Sequence, residues 1–256
     1  RQRHFDNLEV YYPSPSEQQR IVAKLDAVFA EIDKALTVAQ TSANTAEMLL
    51  QNHLSEVFKG GDDWVDKSID DMTDKTKNVN PNKSPNTQFK YVDVSSVSNK
   101  KFVITKTLLL FGKDAPSRAK KNIITNDIIF ATVRPTLKRI AIVPKELDSQ
   151  VASTGYVVLR MNKSNHFKFL FYFLLSNIFM KAMNSLQRGA SYPAVTDMEV
   201  KLQRLKVPNY QKQIKIAEKL DALMLSVNSF IEIQNKKIEK LILLKQSTLQ
   251  QALTEN

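Results

Sequence analysis

The chain of 256 residues contains no cysteine, which excludes disulfides, thiolate catalysis and cysteine-liganded zinc. Three histidines, His4, His53 and His166, lie too far apart in sequence to suggest a histidine-rich metal site. Each reads as a surface or packing residue. Glycine is scarce, with five in the whole chain, leaving little for Gly-rich nucleotide cradles. No apolar run reaches the length of about eighteen residues that spans a bilayer, and the N-terminus lacks signal-peptide order. These absences predict a soluble, cytoplasmic protein without membrane contact. The first residue is Arg1, which suggests a chain that begins at a processing or cloning boundary.

What the chain does have is a duplication. Residues 10–58 and 205–253 align without a gap at an offset of 195, matching Pro13 with Pro208, Gln18 with Gln213, Ile21 with Ile216, and Lys24-Leu25-Asp26-Ala27 with Lys219-Leu220-Asp221-Ala222. Leu49, Gln51 and Leu54 likewise match Leu244, Gln246 and Leu249. The spacing is far beyond that of a solenoid, whose units recur about every 20–50 residues. Two copies of one helix bracket a different middle.

The first copy starts with Ser14 as N-cap, Pro15 at the first helical position and Glu17 completing a capping box. Ile21, Leu25, Val28, Ile32 and Leu49 then follow three-and-four spacing, and Gly60-Gly61 stops the helix. Leu220, Leu223, Val227, Phe230, Leu241 and Leu244 carry the second seam in the same heptad phase. A helix of this length extends about 65 Å, and neither can bury its stripe alone. An antiparallel pair is predicted, with two ordinary helices on one globular core as the alternative.

Residues 60–206 change period. The runs 89–94, 127–133, 139–143 and 156–159 are β-branched or aromatic and of strand length. Thr73 to Asn86 reads as an exposed polar loop, and residues 166–187 as one largely buried helix ended by Gly189. The fold class is therefore α+β, a mixed α/β domain flanked by two long helices that pair as an antiparallel coiled coil. The expected divisions are 1–13, 14–59, 60–206 and 207–256.

Charge follows the same divisions. Residues 75–206 hold 23 basic and 7 acidic side chains, while residues 1–59 are net negative. An excess confined to one segment suits a polyanion partner, since each neutralised phosphate releases condensed counterions; a solubilising basic surface is the alternative. Candidate DNA contacts are Lys75, Lys77 and Lys83 in the polar loop, Ser117, Arg118, Lys120 and Lys121, then Arg134, Lys138 and Arg139, and Arg188, Ser191 and Tyr192 around Gly189. Arg134, just before Pro135, also admits a structural role inside the domain. The spacing Glu199-x-Lys201 beside Asp197 has the outline of a metal-dependent nuclease and is read as coincidence.

Several of these segments resemble the specificity (S) subunit of type I restriction-modification systems: residues 15–26 with their echo at 211–221, Asn126 to Pro135, Ala152 to Tyr156, and Gly189-Ala190-Ser191-Tyr192-Pro193-Ala194-Val195. The resemblance covers almost the whole chain. It implies a target recognition domain that reads half of a split DNA site, and helices that act as spacer and dock methyltransferase (M) subunits and, through them, restriction (R) subunits. It implies a non-catalytic chain without cofactor or metal; S-adenosylmethionine, ATP and Mg belong to the partner subunits. This chain departs from the full-length pattern in having one recognition domain between both helices. Residues 1–13 look like the tail of a preceding one, and the arrangement fits a half-length subunit that could act as a homodimer. A truncated regulatory subunit that binds methyltransferase without productive DNA recognition is the rival expectation.

Overall fold

A computed structural model describes residues 12–254. The segment 1–11, the body of the expected domain remnant, lies outside the described residues. In chain order the elements are α1 (Pro15–Lys59), β1 (Val65–Ser68), α2 (Ile69–Met72), β2 (Thr73–Asp74), β3 (Gln88–Val92), β4 (Leu108–Phe111), β5 (Ala119–Ile123), β6 (Ile128–Ala131), β7 (Ile140–Ile142), β8 (Gln150–Ser153), β9 (Tyr156–Met161), α3 (Phe167–Leu175), α4 (Asn177–Leu186), α5 (Asp197–Lys201), β10 (Arg204–Val207) and α6 (Tyr210–Thr254). The chain divides into a helical unit, 1–49 with 224–256, and a central unit, 50–223. Each long helix contributes residues to both.

In the helical unit α1 and α6 pair antiparallel. Ile21, Leu25 and Val28 line a groove with Thr248, Gln251 and Ala252, and Ile32 and Ala35 line another with Leu241. Lys245 Nζ meets both carboxylate oxygens of Asp33, at 2.6 and 2.8 Å, and lies over the Phe29 ring. Only half of the expected capping box forms: the Ser14 hydroxyl accepts from the Glu17 N–H, whereas the Glu17 carboxylate turns to Arg20.

The seams deviate from their predicted phase in a way helix geometry explains. Ile21 to Ile32 lie on the seam, but Leu49 is 63% exposed, and the neighbouring Leu50, the first residue of the central unit, is the buried one. A straight helix drifts about 20° per heptad, so the four heptads from Ile21 to Leu49 accumulate roughly 80°, nearly one residue's rotation. In α6, Val227 and Leu241 are half-buried as expected, while Phe230 and Leu244 are exposed and Ile231 and Lys245 take the inward places. Lys245 can do so because its alkyl stem packs while its ammonium reaches Asp33.

The central unit holds two four-stranded sheets, ordered β2-β9-β6-β7 and β4-β3-β8-β5, and a two-stranded ribbon of β1 and β10. Pairing is antiparallel except between β3 and β8. Val92, Ile123 and Ala152 from one large sheet cluster with Ile129, Ala131, Ala141, Tyr156 and Val158 from the other, so the sheets enclose a shared core. The opposite side of β6 and β9 is buried as well; Phe130 stacks edge-on against Phe179 of α4. Burial on both faces explains why these strands read as unbroken apolar runs. A partly buried ion pair joins β9 to the turn before β6: Arg160 donates twice to the buried Asp127, at 2.9 and 2.8 Å, and Asp127 also accepts from the Ile124 N–H.

The single helix expected over 166–187 is two, bent by 64°. Ser176 breaks it, accepting from the Phe179 N–H as N-cap of α4 while its own hydroxyl donates to the Phe173 carbonyl. Among the described residues no single helix is long and apolar enough to cross a membrane.

Candidate nucleic-acid interface

The strand β6 ends at Ala131, and from there the backbone is stitched to three other loops. Thr132 donates to the Gly155 carbonyl through both its N–H, at 2.9 Å, and its hydroxyl, at 3.1 Å. On one side of that turn, the Thr154 N–H donates to the Arg118 carbonyl. On the other, the Val195 N–H donates to the Thr132 carbonyl, Val133 bridges Ala194, and Ala194 bridges Arg188. A continuous hydrogen-bonded strip thus joins the loops of Arg118, Arg134 and Arg188. At Gly155 the strip passes close to Val94: a Cβ there would stand 2.5 Å from a Val94 methyl.

Arg134 and Lys138 flank Pro135 and both adopt left-handed backbone, with φ 49° and 53°, a conformation few non-glycine residues take. The Arg134 N–H donates to the Pro193 carbonyl at 2.7 Å, Nη2 donates to the Ser191 carbonyl at 3.2 Å, and the guanidinium lies 5.2 Å from the Tyr192 ring centroid. Arg134, Ser191 and Tyr192 therefore form one cluster, with Arg188 at its base and Lys138, half-buried, at the end of the same turn.

Beside this strip the polar loop runs along β5. The Val79 N–H donates to the Lys120 carbonyl and the Asn122 N–H to the Lys77 carbonyl, which brings Lys77 next to Lys120 and Lys121. Ser117, Arg118, Lys120, Lys75 and Lys77 are exposed. Lys83 is exposed on a separate short turn, whose backbone packs against Gly112.

Besides Arg134, three candidate cations are tied to protein groups. Arg139 is half-buried and donates to the Val97 carbonyl at 2.8 Å, with Val94 also in reach; its guanidinium turns to backbone carbonyls within the domain. Lys121 forms an ion pair with Asp197 at 2.6 Å. Arg188 pairs with Glu199 at 2.9 Å.

The acidic residues read as a nuclease look-alike are these partners. Thr196 caps α5 and forms a full capping box with Glu199, and the Thr196 N–H and hydroxyl, with Arg188 adding, hold the Glu199 carboxyl below its ordinary range. Lys201 reaches across to Asp70. The Thr196-x-x-Glu199 spacing was legible as a helix start. Among the described residues no group of three or more His, Asp or Glu could hold a metal ion. The Thr154-Gly155 turn is what sequence reasoning missed as part of the site, although a small polar pair between two strand runs is a recognisable turn signal. Leu220 and Leu223, placed on the pairing seam, belong to the central unit, where Leu220 is buried.

The chain is similar to known proteins. The HindI type I restriction enzyme specificity subunit of Haemophilus influenzae is 29% identical over 160 residues, covering 61% of this chain and 34% of that protein. The solved HsdS subunit of Thermoanaerobacter tengcongensis is 36% identical at a TM-score of 0.65, covering 73% of this chain and 48% of that one. A second solved chain, from work on complex assembly and conformational transition of the type I R-M system, is 36% identical at a TM-score of 0.70 and covers 74% and 49%. The chain spans about a third of the curated relative's length and about half of each solved chain. The family described as type I restriction modification DNA specificity domain matches residues 61–242, and the chain belongs to that family.

Proposed function

We propose that the central unit reads one half of a split double-stranded DNA target and that the paired helices set its spacing while offering a surface to methyltransferase subunits. The observation that carries this reading is the hydrogen-bonded strip, which gathers Arg118, Arg134 and Arg188 onto contiguous loops beside Lys77 and Lys120. Exposed cations able to hold phosphates, here Arg118, Lys77 and Lys120, with amphipathic side chains on the same strip, are what groove recognition asks for. In this role the chain is non-catalytic. Adenine methylation with S-adenosylmethionine, and ATP- and Mg-dependent cleavage, reside in the partner M and R subunits. Two copies related by a two-fold axis would read an inverted repeat.

The test is a base-resolution methylation map of DNA from cells expressing a cognate methyltransferase subunit with and without this chain. A new adenine-methylated motif appearing only with the chain is the expected result, and an inverted repeat would report pairing of two copies. Stable methyltransferase binding without a new motif would overturn the reading.

A further inference from the structure

Resting on the DNA reading above, we infer that Tyr192 is the base-contacting residue of this face and that Arg134 is a positioning residue that aims it, holding no phosphate itself. The loop carrying Tyr192 is closed at its base by reciprocal hydrogen bonds between Arg188 and Ala194, both 2.9 Å. Within it Gly189 takes φ 103°, where an added Cβ would stand 3.1 Å from the Tyr192 carbonyl. The tip is therefore constrained from inside. At that tip Tyr192 is 72% exposed, and its hydroxyl has no hydrogen-bond partner among the described residues. A flat apolar ring with an unpaired hydroxyl can meet both the methyl and the polar edge of a base.

Arg134 is committed to the loop at three points. Its N–H holds the Pro193 carbonyl, its Nη2 holds the Ser191 carbonyl, and its guanidinium covers one face of the Tyr192 ring. The left-handed backbone at Arg134 is a conformation that costs energy and persists where surrounding contacts over-determine it; these contacts do so. With Arg188 and Lys121 paired to Glu199 and Asp197, the cations besides Arg134 that have no ion pair among the described residues include Lys77, Arg118, Lys120 and the half-buried Lys138. The face thus separates its tasks: free cations stand on the β5 side of the hydrogen-bonded strip, and a buttressed tyrosine projects from the loop at its other end.

Selection of the full chain, in complex with its methyltransferase, against randomised duplexes supplies an enriched duplex. Affinity for it and for a scrambled duplex is then measured across a salt series. Tyr192→Ala is expected to weaken the enriched duplex by about 10- to 100-fold and the scrambled one by less than about 3-fold, with the salt slope unchanged. Arg134→Lys and Arg134→Ala should both reproduce that selective loss, again at unchanged slope, because a lysine keeps the charge without the fork. Lys120→Ala should instead lower the slope by about 0.9 on both duplexes. If Arg134→Ala lowers the slope by about one and Arg134→Lys restores it, Arg134 is a phosphate ligand and the inference is overturned. The same holds if Tyr192→Ala enriches the unsubstituted motif with equal affinity. Tyr192→Phe and Arg134→Lys, matched to the parent in unfolding midpoint, keep the result independent of misfolding. Failure of the unsubstituted complex to enrich any motif would sink the DNA reading itself, and this inference with it.

Discussion

The two copies of the repeated helix begin alike and end up in different surroundings. In each, a glutamine side chain folds back to the proline carbonyl five residues earlier: Gln18 to Pro13 at 2.8 Å and Gln213 to Pro208 at 2.9 Å. Beyond that shared bond they diverge. Gln18 is exposed, whereas Gln213 is buried and also accepts the His166 N–H at 2.8 Å. Val22 is 55% exposed and its counterpart Ala217 is 1% exposed. Asp26 faces solvent, while Asp221 accepts from Lys168 and from the Tyr172 hydroxyl, each at 2.6 Å. Burial and then the Asp221 charge push the Tyr172 phenol well above its ordinary pKa. The repeat therefore encodes a helix start and a face, and what the face does depends on the α3 surface that covers it. The first turns serve as solvated helix in the first copy and as core in the second, and farther along the roles reverse: Leu54 and Phe58 are buried while their counterparts Leu249 and Leu253 are 43% and 71% exposed.

That comparison breaks most sharply at the leucines. Leu220 is fully buried and Leu25 half-buried. Leu220→Ala should destabilise the central unit by about 3 kcal/mol, the usual range for a buried leucine, while Leu25→Ala should cost less than about 1 kcal/mol. Denaturant unfolding of the two variants checks this, and equal losses would mean that the first copy is covered as well as the second. The glutamines come next. Gln213→Ala removes an acceptor from the His166 N–H and a donor from the Pro208 carbonyl in a buried place, at a cost of about 2 kcal/mol. Gln18→Ala breaks the equivalent bond in water and should cost no more than about 0.5 kcal/mol.

How much of this the sequence discloses varies by element. The repeat and both long helices are legible because periodicity and caps are local. So are β3, β6, β7 and β9, whose apolar runs reflect burial on at least one side. By contrast β5, Ala-Lys-Lys-Asn-Ile, reads as a basic cluster, since its strand character comes from pairing with β8 and not from its own side chains. Its burial alternates only at the two ends. The break at Ser176 was hidden because apolar spacing continues across it, and the hydroxyl that caps α4 leaves no trace in periodicity. At the candidate interface, the cations were legible and their partners were not. Lys121 meets an aspartate 76 residues away, and Arg139 turns inward to carbonyls some forty residues back. Contacts at such separations are fixed by topology.

The smallest effect expected is one of pH, and it sharpens the same contrast because its source sits beside the second copy. The His166 ring lies 4.9 Å from Phe167 and 6.1 Å from Tyr210; burial, with Lys168 adding, lowers its pKa below the ordinary 6.5. In the unfolded chain this imidazole takes up a proton near pH 6.5, whereas in the folded chain it does so only at lower pH. Between those values the unfolded state binds more protons, so stability falls as pH drops through the window and is flat above it. Asp71, Asp148 and Glu199, whose carboxyls are held below their ordinary values, add their own losses only below about pH 4.5. The two windows are separate. Unfolding midpoints of the central unit measured from pH 7.5 down to 5 should therefore decline gently, His166→Gln should flatten that decline, and Leu25→Ala should leave it intact. A slope that survives His166→Gln would place the titrating group elsewhere.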